Sequence, residues 1–151
     1  VGRVGLDANV FLCVLLPEST IAGKQNIRGS EEILSSLGRD ITAVTSTIVF
    51  AEIAWAFARE GKTGVEMEAA KKVIETMEGL NLVPVDADIA FQAGRLRRRH
   101  YSKKSQISYQ DAIYLATCLK EQVKVFYTTD SHLLGLKEGT KIKKPRLFSL
   151  K

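Results

Sequence analysis

Four acidic residues, Asp7, Glu52, Asp111 and Asp130, stand where helices and buried strands have no need of a carboxylate. Asp7 directly follows an apolar stretch at residues 3–6, and Asp130 follows a longer one at 123–128. Asp111 opens the helical pattern that leads into the second stretch. Glu52 has Ile48, Val49, Trp55 and Ala56 at i−4, i−3, i+3 and i+4. All four are apolar, so Glu52 shares the face expected to be buried. A carboxylate there carries a large desolvation cost unless a cation pairs with it, and that helix offers no basic residue before Arg59. The cation is then a side chain from elsewhere or a metal. Three further acids favour the metal, because gathered carboxylates repel unless something positive lies between them. Oxygen donors alone suit Mg2+ or Mn2+ rather than zinc.

Simpler roles compete for the same residues. Asp7 or Asn9 can cap the first helix, Ser108 and Asp111 fit a capping box, and Asp130 can cap a short helix starting at Ser131. The histidines, His100 and His132, lack metal-ligand spacing. His100 reads as a solvated member of a basic run, and His132 as a residue that could line the site.

That basic run supplies a substrate. Residues 95–104 hold Arg95, Arg97, Arg98, Arg99, Lys103 and Lys104 with no acid among them. Tyr101 adds a ring on which a base could stack. Lys141, Lys143, Lys144 and Arg146 form a second basic stretch beyond Asp130. A solvated face is the ordinary reading of such runs. The net charge of +5, however, suits a polyanionic partner. Acids able to hold a metal, set between basic segments, form the layout of a phosphodiesterase acting on nucleic acid.

To bring the acids together, the chain needs a frame. Strand patterns at 3–6, 41–45, 82–85, 123–128 and 146–150 alternate with helical patterns at 9–16, 30–37, 47–60, 87–99 and 108–121. Another helical repeat runs through Val65, Ala69, Val73 and Met77, residues 18–28 read as loop, and Ser30 reads as a cap. Alternation of this kind predicts an α/β domain with a parallel sheet. Ligands of such sheets lie beyond the carboxyl ends of the strands, where the strand order reverses. Parallel strands would carry all four acids to that one edge.

"LDANVFL", "TSTIVFAEIAWAFARE", "SYQDAIYLATCLKE" and "VFYTTDSHLL" resemble, in order and spacing, the four acidic motifs of PIN-domain ribonucleases. The likeness is greatest to VapC-type toxins of toxin–antitoxin pairs, and it spans nearly the whole chain as a single PIN domain, residues 1–151. The resemblance implies a three-layer α/β fold with a five-stranded parallel sheet of order 3-2-1-4-5. It implies Mg2+- or Mn2+-dependent endoribonuclease activity, with Asp7, Glu52, Asp111 and Asp130 as the catalytic, metal-binding acids and Asn9, Ser46 and Thr128 as polar supports. One of Asp111 and Asp130 would orient or deprotonate the attacking water while Asp7 and Glu52 chiefly hold the ion. A homodimer and a small antitoxin partner are implied as well.

At 151 residues the chain suffices for one well-formed core. No apolar run reaches the length of a membrane span, and Arg3 and Asp7 make the first fifteen residues unlike a signal peptide. Cys13 and Cys118 read as free core thiols, which fits a cytoplasmic protein. With no CxxC pair, a zinc ribbon is excluded. Three other readings remain: a stand-alone PIN nuclease of RNA processing, a metal-free ribonuclease built on His100 and His132, and a module that binds RNA without cutting it.

Overall fold

A computed structural model describes residues 2–19 and 22–151 of the chain. Five parallel strands form one sheet in the order β3-β2-β1-β4-β5. They are β1 (Gly2–Leu6), β2 (Ile41–Ser46), β3 (Leu80–Val83), β4 (Val125–Tyr127) and β5 (Lys141–Lys143). Between β1 and β2 run α1 (Ala8–Leu15) and α2 (Lys24–Ser36); between β2 and β3 run α3 (Val49–Arg59) and α4 (Gly64–Glu75). The chain then crosses back through α5 (Ala87–His100) and α6 (Tyr109–Lys120) to β4. Right-handed crossovers in opposite directions place α1–α4 and α5–α6 on opposite faces of the sheet. Burial follows: Leu6, Val44 and Phe126 on the central strands and Phe11, Ile33, Leu96 and Leu115 on the helices are all fully enclosed.

The strand order reverses between β1 and β4, which pair through Val4↔Val125, Gly5↔Phe126 and Leu6↔Tyr127. This register sets Asp7 beside Thr128 at the carboxyl edge, with the Asp7 amide reaching the Tyr127 carbonyl at 3.4 Å. Thr45 Oγ1 donates to the Leu6 carbonyl at 2.7 Å and ties β2 to the same edge.

Several boundaries differ from the sequence reading. The last strand is not 146–150 but Lys141–Lys143, an edge strand whose lysines stand in place of the expected apolar run. Charged side chains on an edge discourage pairing with other chains. Residues 145–147 form a 3-10 turn instead. Ser30 does not cap a helix: α2 begins at Lys24 behind Gly23, whose φ of 86° suits glycine, and Ser30 is buried inside it. The third strand ends at Val83, which frees Asp86 to cap α5 by accepting from the Ile89 amide at 2.9 Å. His100 is not solvated; its Nε2 lies 2.5 Å from the Glu138 carboxylate, and both side chains are largely enclosed.

Gly29 holds α2 against the 3-10 turn. A Cβ there would meet the Pro145 carbonyl oxygen at 2.1 Å, and backbone cannot swing aside. Gly29→Ala is therefore expected to destabilise the fold by about 1–3 kcal/mol, seen as a lower melting temperature. An unchanged melt would show that the turn is not packed there.

Candidate active site

At the switch point, Asp7 is 3% exposed, and Glu52, Asp111 and Asp130 are half-buried. Asp7 both caps and faces the site. Its Oδ1 accepts the amides of Asn9 at 3.0 Å and Val10 at 3.4 Å, while its Oδ2 accepts the Thr128 hydroxyl. Thr128 Oγ1 in turn accepts the Asp130 amide at 3.0 Å, and Asp130 Oδ1 accepts the His132 amide at 2.8 Å. A chain of hydrogen bonds thus runs from β1 through the end of β4 to Asp130.

Asp111 enters from the first turn of α6. Its Oδ2 accepts the Ser108 amide at 3.3 Å, and its own amide donates to Ser108 Oγ at 3.1 Å, which completes a capping box. Glu52 comes from the first turn of α3. Ser46 Oγ accepts the Ile48 amide at 3.2 Å and sets the turn before that helix. Trp55, expected inside, is 68% exposed, so Glu52 borders the buried face of α3 rather than lying at its centre.

The acidities of Asp7, Glu52 and Asp111 are shifted by burial and by neighbouring carboxylates. Burial raises Asp7 to about 7, opposed by the Thr128 hydrogen bond and helped by repulsion from Asp111. Burial raises Glu52 to about 8, with Asp7, Asp111 and Asp130 adding repulsion. Burial again, then the charge of Asp130, raises Asp111 to about 6. Among the described residues, no lysine, arginine or histidine forms an ion pair with any of the four acids.

The donor set is all oxygen, which suits a hard divalent cation. No three acidic, histidine or cysteine side chains among the described residues are arranged to close around an ion by themselves.

Two residues near the acids escaped the sequence reading as site residues. Tyr114, which the sequence reading did not single out, is 2% exposed, and its hydroxyl makes no hydrogen bond of normal geometry among the described residues. Burial and the charges of Glu52 and Asp7 hold its phenol well above its ordinary pKa, hence protonated. Its helical period is that of a core residue, and only its hydroxyl gave a signal. Lys144, read only as part of a basic stretch, lines a cavity of about 400 Å3 with Asn9, Asn26, Thr129 and Asp130.

The basic run divides. Arg99 pairs with Glu138 at 2.7 Å, and Arg97 Nε donates to the Ile107 carbonyl at 3.1 Å. Arg95, Arg98, Lys103 and Lys104 are exposed.

A parallel sheet with acids gathered where its strand order reverses defines a doubly wound α/β domain with a site at its switch point. The sequence matches the PIN domain over residues 4–138, and the chain belongs to that family. No curated protein sequence matches it. Its fold is similar to that of VapBC2 from Rickettsia felis, bound to a DNA fragment from their promoter: TM-score 0.69, 16% identity, covering 93% of this chain and 97% of that one. It is also similar to VapC20 from Mycobacterium tuberculosis, a sarcin-ricin loop cleaving toxin, with TM-score 0.66, 20% identity and coverage of 85% and 90%. FitAcB from Neisseria gonorrhoeae gives TM-score 0.65 and 18% identity over 96% and 99%. At these identities the likeness is one of fold. No helix among the described residues is long and apolar enough to cross a membrane.

Proposed function

We propose that the whole chain is a single PIN domain acting as a divalent-metal-dependent endoribonuclease, the toxin of a toxin–antitoxin pair. The observation that carries the reading is the burial of Asp7 and Glu52 beside Asp111, with no ion pair to a basic side chain among the described residues. Asp7, Glu52, Asp111 and Asp130 would hold Mg2+ or Mn2+. The ion, when bound, supplies charge neutralisation at the phosphate and activation of water. Asp7, fixed by Thr128 and two α1 amides, is the rigid anchor of the set. Asp111 and Asp130 are half-buried, and one of them accepts the proton of the attacking water. Asn9, Ser46 and Thr128 hold the frame. Likeness to VapBC assemblies supports an antitoxin partner, and likeness to VapC20 supports RNA as substrate. A homodimer working in the cytoplasm completes the reading.

Turnover of a labelled single-stranded RNA with Mn2+, abolished by EDTA, is the expected result. EDTA-resistant turnover would remove the metal from the reaction. The same RNA measures the basic run. Replacing Arg98, Lys103 and Lys104 with Ala should flatten the salt dependence of log affinity by a slope of about 2. Replacing Arg97 and Arg99 should instead lower the melting temperature, since those two hold structure. An unchanged slope in the first variant would mean that its three cations meet no phosphate.

A further inference from the structure

A small cavity built of rings and a guanidinium lies between the second half of α5 and the start of α6. The Arg97 guanidinium carbon sits 4.8 Å from the centre of the Tyr101 ring and 4.4 Å from that of Tyr109. Its hydrogen bond to the Ile107 carbonyl fixes its orientation. The rings stay accessible, Tyr101 at 49% and Tyr109 at 60%. Together with Gly94 and Arg98 they line a space of about 270 Å3. That falls just below the range of whole small-molecule sites and suits a single planar group.

Gly94 strengthens the case. It lies in the middle of α5, where glycine weakens a helix relative to alanine. A Cβ there would meet nothing within 4 Å, so no packed neighbour demands the missing side chain. What the glycine provides is room in the cavity. Tyr109 is the first residue of α6 and Asp111 the third, so the same helical turn carries a ring of the cavity and one of the acids, on different faces. Exposed Arg98, Lys103 and Lys104 lie along the same chain segment, which favours a polyanion.

We propose that the cavity formed by Gly94, Arg97, Tyr101 and Tyr109 receives one unpaired base of a single-stranded RNA, stacked on the tyrosines next to the phosphodiester presented to the acids. Its placement at the cleavage position rests on the nuclease reading; the stacking does not. A paired base is held in its own helix and cannot enter, so the cavity selects unpaired RNA.

The test is binding of a short single-stranded oligoribonucleotide, carrying 2-aminopurine at successive positions, to the full chain in EDTA. One position should change fluorescence on binding. Gly94→Leu fills the space in a helix-compatible way and should melt no lower than the parent. Gly94→Leu and Tyr109→Leu should each weaken binding roughly ten- to hundredfold and abolish the fluorescence change. The salt slope should not move, because no phosphate contact is lost. Parent-like affinity in Gly94→Leu, a changed slope, or no binding by the parent would each overturn the proposal. If the parent binds with these signatures yet never cuts RNA, the nuclease reading fails and the base site stands. Cleavage by the parent with unaltered binding in both variants gives the reverse.

Discussion

Asp111→Asn is expected to lower RNA cleavage by at least about a hundredfold in a protein that stays folded. Asparagine keeps a side-chain oxygen for the Ser108 amide, and the reciprocal bond from the Asp111 amide to Ser108 Oγ involves only backbone at that position. The capping box survives. A first-turn carboxylate contributes about 0.3–1 kcal/mol through the helix dipole. Its loss is opposed by relief of the repulsion from Asp130 that raises Asp111 to about 6. What the variant loses is negative charge and proton-accepting capacity at the edge of the sheet. Cleavage rates beside circular dichroism check the claim, and full activity in a folded variant would remove Asp111 from the chemistry.

Much of this was legible in the sequence because the sheet leaves little freedom. Once β1 and β4 are parallel neighbours, Asp7 and Asp130 have to emerge on one edge, and the helix feeding β4 delivers Asp111 there. Capping, weighed as a rival role, is one that Asp7 fills: it caps α1 with one oxygen and meets Thr128 with the other. The departures have physical reasons. Lys141–Lys143 pairs on one side only and carries charge, so it shows no apolar run. The start of α2 is invisible because Gly23 caps it with no side-chain hydrogen bond. His100 looked solvated, and Arg99 looked free for RNA, because their partner, Glu138, is 38 and 39 residues away in the chain. Tyr114 has the period of a core residue, and it is one, with its ring stacked 6.4 Å from Phe126 while its hydroxyl reaches the acids' field.

The second large effect concerns pH. In EDTA the melting temperature should fall as pH rises from about 4 to about 8. The ordinary pKa values of Asp7, Glu52 and Asp111, 3.8, 4.5 and 3.8, are raised to about 7, about 8 and about 6 in the fold. Between those limits the folded state binds more protons than the unfolded chain, so stability declines with rising pH. This contribution is fully present below the unfolded values and is lost as pH climbs through the folded ones. Carboxylates paired with cations would give the opposite trend. A divalent ion that binds only the folded state restores about 2.7 kcal/mol at a hundredfold excess over its dissociation constant, or roughly 5 °C or more for a chain of this size. A melting temperature in EDTA that rises across this range would show that the three acids are balanced by something else.

The central claim, that four carboxylates form one cation site, is met most directly by melting the parent and Asp7→Asn near neutral pH, in EDTA and in Mn2+ at matched ionic strength. The account predicts that Asp7→Asn melts no lower than the parent in EDTA, since repulsion is relieved, and lower than the parent in Mn2+, since a ligand is gone. Equal destabilisation of Asp7→Asn in both buffers, with no specific Mn2+ effect on the parent, would contradict it and leave Asp7 as a helix cap alone.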